Sequence, residues 1–225
     1  MPRPKQPLIS REAAVDAALR LIDEEGYESF SLEKLARAMG VRSPSLYHHF
    51  ANRSDLLTEA ARTLLSQVST GPDPAPGEWH DWFTRLCLGT YRLIMAHPRA
   101  AGLLFGFFPN TVIMPSHERG ARVLAEAGLP AADRWLVMRG LEKLVFGMAF
   151  ADAGDAVHGR THVPRGVERE RYPYLVEAIE SGGAAGEDLV ERAVRTYLAG
   201  VSAQVPASAA TTGAIRSSTP SLTEM

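Results

Sequence analysis

Between Ser10 and Val68 four apolar stripes of helical period follow one another, each opened by a capping residue, and this succession constrains the chain more than anything else in it. In "SREAAVDAALRLIDEE", Ala14, Ala17, Ala18, Leu21 and Ile22 recur at helical spacing, with Ser10 placed to cap and Gly26 to stop. "SLEKLARAMG" starts at a capping Ser31, sets Leu32, Leu35, Ala36 and Met39 on one face, and closes on Gly40. In "SPSLYHHF", Ser43 can cap and Pro44 suits the first helical position, where its missing N–H is no loss, so that Leu46 and Phe50 turn inward one turn apart. "NRSDLLTEAARTLLSQV" has Asn52 followed by Asp55 three residues on, a reciprocal capping pair, and predicts a helix reaching Val68.

The same period continues through the rest of the chain. "TGPDPAPGEW", Thr70 to Trp79, concentrates proline and glycine and reads as a linker. Helical patterns then cover Trp79 to Ala96, Pro98 to Phe105, Val112 to Ala127, Ala131 to Ala153, Tyr172 to Ser181 and Gly186 to Gln204, with no alternating strand pattern between them. The fold class expected is all-α, divided into a flexible arm at 1–9, a helix-turn-helix domain at 10–57, a larger helical domain at 58–204 and a disordered tail at 205–225, where Ser, Thr, Ala and Pro replace large apolar residues. A hydrophobic share of 45% with 22% charged residues and a net charge of -2 fits a soluble globular protein and leaves the partner unannounced. No apolar run is long enough to span a membrane and "MPRPKQPLIS" lacks a signal core, so the expectation is a cytoplasmic chain without membrane contact. The single Cys87 lies in the apolar run "WFTRLCLGTYRLIM" and reads as a buried thiol rather than a nucleophile.

Two short helices joined at Gly40 match a helix-turn-helix unit, whose second helix enters the DNA major groove, or a plain helical hairpin. Charge weighs between them. Residues 1 to 62 hold nine Lys/Arg and nine Asp/Glu, yet Lys34 to Ser54 contains four basic residues and no acid. On the helix that starts near Ser43, the outward groups Ser43, Ser45, Tyr47, His48 and His49 all donate or accept hydrogen bonds, as base edges and phosphates require. Arg42 is placed for a guanine edge and Arg53 for a phosphate. A metal between His48 and His49 is disfavoured, since neighbours on a helix point about 100 degrees apart.

The span from Ser10 to Leu57, with "LARAMGV", "PSLYHHF" and "NRSDLL" in order, resembles the DNA-binding domain of the TetR family of bacterial transcriptional regulators. The resemblance implies that Ser43, Pro44 and Ser45 lie against bases, that Tyr47 and His49 lie largely on phosphates, and that Arg53 takes the place of a phosphate-binding lysine. Ser31, Lys34, Arg42 and His48 complete the DNA-facing set. It further implies a homodimer on double-stranded operator DNA and a helical body that often encloses a small-molecule pocket. The start of the chain is closest to the tetracycline-repressor branch, but Leu104 and Phe107 fall where that branch has a metal-coordinating histidine and a neighbouring threonine, and apolar residues cannot hold magnesium, so no metal or other cofactor is expected.

For that body, Trp135, Met138, Leu141, Val145 and Met148 form one stripe and Leu189, Ala193 and Tyr197 another, either a four-helix dimer interface or intrachain core. The most apolar stretch, "YRLIMAHPRAAGLLFGFFPNTVIM", supplies Met95, Phe105, Phe107, Phe108 and Met114, which with Trp82, Phe83 and Phe146 line a pocket for an apolar or aromatic effector or else fill a core. His97 and His117 are placed to orient a polar group of a ligand. An enzyme is not expected: there is no nucleophile with a paired base and no phosphate loop, and "HGRTH", His158 to His162, has zinc-like spacing only within a loop. The expected function is a repressor released by such an effector; the alternative is a DNA-binding regulator with a filled core, controlled by a protein partner or constitutive.

Overall fold

The structure, a computed structural model, describes residues 10–69, 71–108, 110–160, 166–182 and 184–203. The arm at 1–9 and the tail from Val205 lie outside these residues. Ten α-helices and one 3-10 turn make up the described chain, and no strand occurs among the described residues.

The first four helices form as their caps dictate. Helix α1 (Arg11–Glu25) opens with the Ser10 hydroxyl accepting from the Ala13 N–H at 3.0 Å. Helix α2 (Leu32–Ala38) opens with Ser31 accepting from the Lys34 N–H at 3.2 Å. It closes at Gly40, whose φ of 66° lets the Val41 N–H return to the Ala36 carbonyl at 2.9 Å and the Gly40 N–H to Arg37 at 3.1 Å. Helix α3 (Ser43–Tyr47) departs from expectation by one residue: Ser43 lies inside it and Arg42 stands at the cap position without a side-chain bond. The Arg42 carbonyl already accepts from the Ser45 N–H, so the turn begins there. Helix α4 (Arg53–Leu65) is capped by Asn52, which accepts from the Asp55 N–H at 2.9 Å, while Asp55 reaches back to the Ala51 N–H at 3.0 Å. It stops short of Val68, because the Ser66 hydroxyl donates to the Thr63 carbonyl and the N–H groups of Gln67 and Val68 close tight turns. Ile22, Leu35, Leu46, Phe50, Leu56 and Leu57 meet in one core, so α3 is held by its two inward residues and presents the rest.

The body contains α5 (Trp79–Ala96), a 3-10 turn (Pro98–Ala100), α6 (Ala101–Gly106), α7 (Asn110–Glu126), α8 (Ala131–His158), α9 (Pro173–Gly182) and α10 (Gly186–Ser202). Helix α8 runs beyond the expected Ala153 because its stop is Gly159, in the left-handed region at φ 61°, and not Gly154. Helix α5 packs along α8 and α10, and α7 along α8. The Tyr91 hydroxyl donates to Asp152 at 2.7 Å, tying α5 to α8. No described helix is long and apolar enough to cross a membrane.

The two parts meet where α1 packs on the Pro98–Ala100 turn and α4 on α5 and α6. His97 Nδ1 lies 2.8 Å from the Asp23 carboxylate, and Arg99 donates to the Glu24 carbonyl. The Tyr27 ring rests on Gly102 so closely that a Cβ there would lie 2.3 Å from Tyr27 Cε1.

Candidate DNA-reading face and effector cavity

Helix α3 turns Leu46 and Phe50 into the core and leaves Arg42, Pro44, Tyr47 and His48 exposed, with Ser43, Ser45 and His49 half-buried. Arg42 makes no ion pair among the described residues, so its guanidinium is unengaged on this face. Ser31 uses an oxygen lone pair for its cap and keeps its O–H to donate. Lys34 pairs with Glu25 at 2.6 Å, both partly exposed, an interaction typically worth about 0.2–1 kcal/mol that a competing phosphate can replace.

Arg53 behaves otherwise than its sequence position suggested. Its Nε donates to the Phe30 carbonyl and its Nη2 to the Tyr27 carbonyl, each at 3.0 Å, and its Cζ stands 5.8 Å from the Phe30 ring centre. With Nε and Nη2 so engaged, the planar fork clamps the turn between α1 and α2 onto α4. Arg11 went unnoticed in the sequence. It donates to the His49 carbonyl, pairs with Asp55 at 3.2 Å and lies 4.4 Å from the Phe50 ring centre, pinning the end of α3 to α1 and α4. A cation in the first turn of a helix opposes the helix dipole, and that was the available signal.

A cavity of about 140 Å³ lies in the body. Leu65 and Val68 at the end of α4 bound it, with Phe83, Leu86, Cys87 and Thr90 of α5, Phe108, Ile113, Ser116, His117 and Gly120 from α7 and the segment before it, and Met138, Leu141, Glu142, Val145 and Phe146 of α8. Burial pushes the Cys87 thiol up to about 12, so it stays protonated and acts as wall. The polar end is a chain of three groups. His117 Nδ1 faces the Ile113 carbonyl at 3.0 Å and must donate to it; Nε2 lies 3.5 Å from Glu142, which Arg139 also contacts. The hydrogen bond to Glu142 raises the His117 pKa against the opposing effect of burial. For Glu142 burial is the largest single influence and acts upward, but the bonds from His117 and Arg139 together outweigh it and hold the carboxyl below its ordinary value.

Of the residues expected in a pocket, Phe83, Phe108, Phe146 and His117 line this cavity, and Trp82, Met95, His97, Phe105, Phe107 and Met114 do not. Trp82, next to Phe83, faces a different side of α5 and donates its indole N–H to the Pro72 carbonyl at 3.1 Å. His97 is taken by Asp23, while Phe105 is 80% and Met114 64% exposed. Of the stripe expected at a dimer interface, Met138, Leu141 and Val145 are buried against the cavity, so they are unavailable to a second chain. Trp135 and Leu189 are exposed, Met148 and Ala193 half-buried. The Tyr197 hydroxyl is inserted against α8, where a Cβ on Gly140 would lie 2.1 Å from it. Leu104 is buried and, like Phe107, lines no part of the cavity. No group of three potential metal ligands occurs among the described residues; His158 ends α8, and His162 lies outside them.

Both parts of the chain are similar to known proteins. A model of the bacterial regulatory proteins of the tetR family matches residues 14–67, and one of the tetracyclin repressor-like C-terminal domain matches residues 71–205. Over 179 residues the chain is 29% identical to the tetracycline repressor protein class A from transposon 1721 of Escherichia coli, covering 77% of this chain and 81% of that one. Apo ActR from Streptomyces coelicolor shares the fold with a TM-score of 0.75 at 24% identity, over 89% of this chain and 98% of ActR. ActR in complex with actinorhodin matches with a TM-score of 0.71 at 24% identity, over 88% and 98%.

Proposed function

The chain belongs to the tetR family of bacterial regulatory proteins, and from that we propose that it is a homodimeric cytoplasmic repressor that holds a palindromic operator until a small apolar or aromatic effector enters the cavity. One observation carries this reading: α4 touches both sites. Its first turn holds the reading unit through Asn52, Arg53 and Asp55, and its far end supplies Leu65, with Val68 just beyond, to the cavity wall. A ligand that widens this wall moves the same rod on which α3 is mounted. Coupling of this kind is typically about 1–3 kcal/mol, severalfold to a hundredfold in operator affinity.

The DNA side calls for two chains. One helix-turn-helix unit reads a few base pairs, and pairing two about 34 Å apart supplies the missing affinity and the palindrome. Trp135 and Leu189, exposed on α8 and α10, are the contacts a second chain would cover. Arg42, Ser43, Pro44, Ser45 and His48 are the base-side set, and Ser31, Lys34, Tyr47 and His49 the phosphate-side set. The open cavity favours this reading over a regulator with a filled core.

The test is selection of bound DNA from a random pool, followed by titration of the selected site with and without small aromatic compounds. A palindrome is expected, with release by a compound on the wild-type chain and none on Val145→Phe, whose larger side chain occupies the cavity. Selection of DNA without two-fold symmetry, or equal release from Val145→Phe, would refute the proposal.

A further inference from the structure

The polar atoms of the cavity wall have an unequal balance of donors and acceptors. Thr90 donates its hydroxyl proton to the Leu86 carbonyl at 3.0 Å and keeps only lone pairs for a guest. His117 Nδ1 donates to the Ile113 carbonyl and Nε2 lies 3.5 Å from Glu142 Oε2, so His117 turns no unengaged donor to a guest. Glu142 receives His117 and Arg139 on Oε2, and Oε1 has no hydrogen-bond partner among the described residues. Ser116, which lines the cavity without a hydrogen bond among the described residues, can adapt either way. The wall therefore offers two sets of free lone pairs and, beside the adaptable Ser116 hydroxyl and the weakly donating Cys87 thiol, no free donor. The remaining surface is apolar, with the rings of Phe83, Phe108 and Phe146.

Resting on the effector-cavity reading above, we infer that the cavity takes a single-ring aromatic ligand bearing a hydrogen-bond donor, a phenol or an arylamine, whose O–H or N–H donates a hydrogen bond to Glu142 Oε1. The size supports one ring, since an apolar cavity of about 150 Å³ holds benzene. A carboxylate guest would place its lone pairs against those of Glu142 and Thr90, and it would reach His117 only by displacing Glu142.

Four probes separate donor from size and charge: 4-methylphenol, its isomer anisole, toluene and benzoate, each titrated against the full chain without DNA by ligand-observed NMR. 4-Methylphenol is expected to bind about tenfold or more tighter than anisole and toluene, the factor a hydrogen bond to a charged acceptor supplies, and benzoate weakest. In Glu142→Gln its advantage over anisole falls to a few-fold, while toluene binding is unchanged. Equal affinity for 4-methylphenol and anisole, or tightest binding by benzoate, overturns the donor requirement and leaves the cavity itself as a ligand site. Binding by none of the four removes the cavity as well. Should Glu142→Gln not fold, the ranking of the four on the wild-type chain decides alone.

Discussion

Gly102→Ala should loosen the junction between the reading unit and the body, against the direction helix propensity alone dictates. Alanine in place of glycine within a helix ordinarily stabilises by about 0.5–1 kcal/mol. Here the added Cβ would stand 2.3 Å from Tyr27 Cε1 and 2.8 Å from Cδ1. Carbon atoms pack at about 3.5 Å or more, so the ring must retreat by about 1.2 Å. Overpacking of this size typically costs about 1–3 kcal/mol, which leaves a net loss of about 0–2.5 kcal/mol after the propensity gain. A 1 kcal/mol loss lowers the Tm of a chain this long by about 2–4 °C. The displaced residue also carries the carbonyl that Arg53 holds, so operator affinity should fall together with the Tm. Thermal unfolding and operator titration of Gly102→Ala, Tyr27→Ala and the double variant form a cycle. In the Tyr27→Ala background Gly102→Ala should stabilise, since only the propensity gain remains. A rise in Tm for Gly102→Ala alone, or a coupling below about 0.5 kcal/mol, would refute the close-packed junction.

Other consequences can be measured on the same chain. Because the folded pKa of His117 lies above its ordinary 6.5, the stability it contributes is full below that pH and lost as pH rises through the folded value; Glu142, lowered from 4.5, contributes above that pH and loses it as pH falls through its own depressed value. The decline in Tm as pH rises above 6.5 should therefore be shallower in His117→Gln, and an unchanged decline would contradict the pairing. Arg53→Lys should lower the urea midpoint by an amount equivalent to about 1–2 kcal/mol, since one ammonium cannot span both the Phe30 and Tyr27 carbonyls; a neutral result would mean the clamp is idle. On the operator, Arg42→Ala should cost about 1–3 kcal/mol and relax preference at a single base pair, whereas Tyr47→Phe should weaken all sequences alike, and the reverse pattern would exchange their assignments.

How much of this was legible in the sequence depended on the range of the interaction. The caps at Ser10, Ser31 and Asn52 and the Gly40 turn join residues at most five apart, so reading along the chain finds them. Placement across the chain was another matter. Arg53 looked like a phosphate contact because nothing near it in sequence competes for its guanidinium; the carbonyls that do are 23 and 26 residues away. In α8 apolar residues occupy more than one face, so Met138, Leu141 and Val145 suited a dimer interface as well as intrachain core, and the structure puts them in the cavity wall. Trp82 and Phe83 are neighbours that point in different directions, and only the packing of α5 against α7 and α8 decides which one meets the cavity.

By itself the sequence determined the helices, their limits to within a few residues and the polar face of α3, because those follow from backbone hydrogen bonds and side-chain period over one or two turns. Tertiary structure alone decided that His97 serves the domain junction, that Glu142 joins His117 at the polar end of a cavity, and that Leu65 and Val68 at the far end of α4 form part of its wall. These are contacts between side chains brought together by packing, and local period carries no information about which distant face a buried side chain will meet.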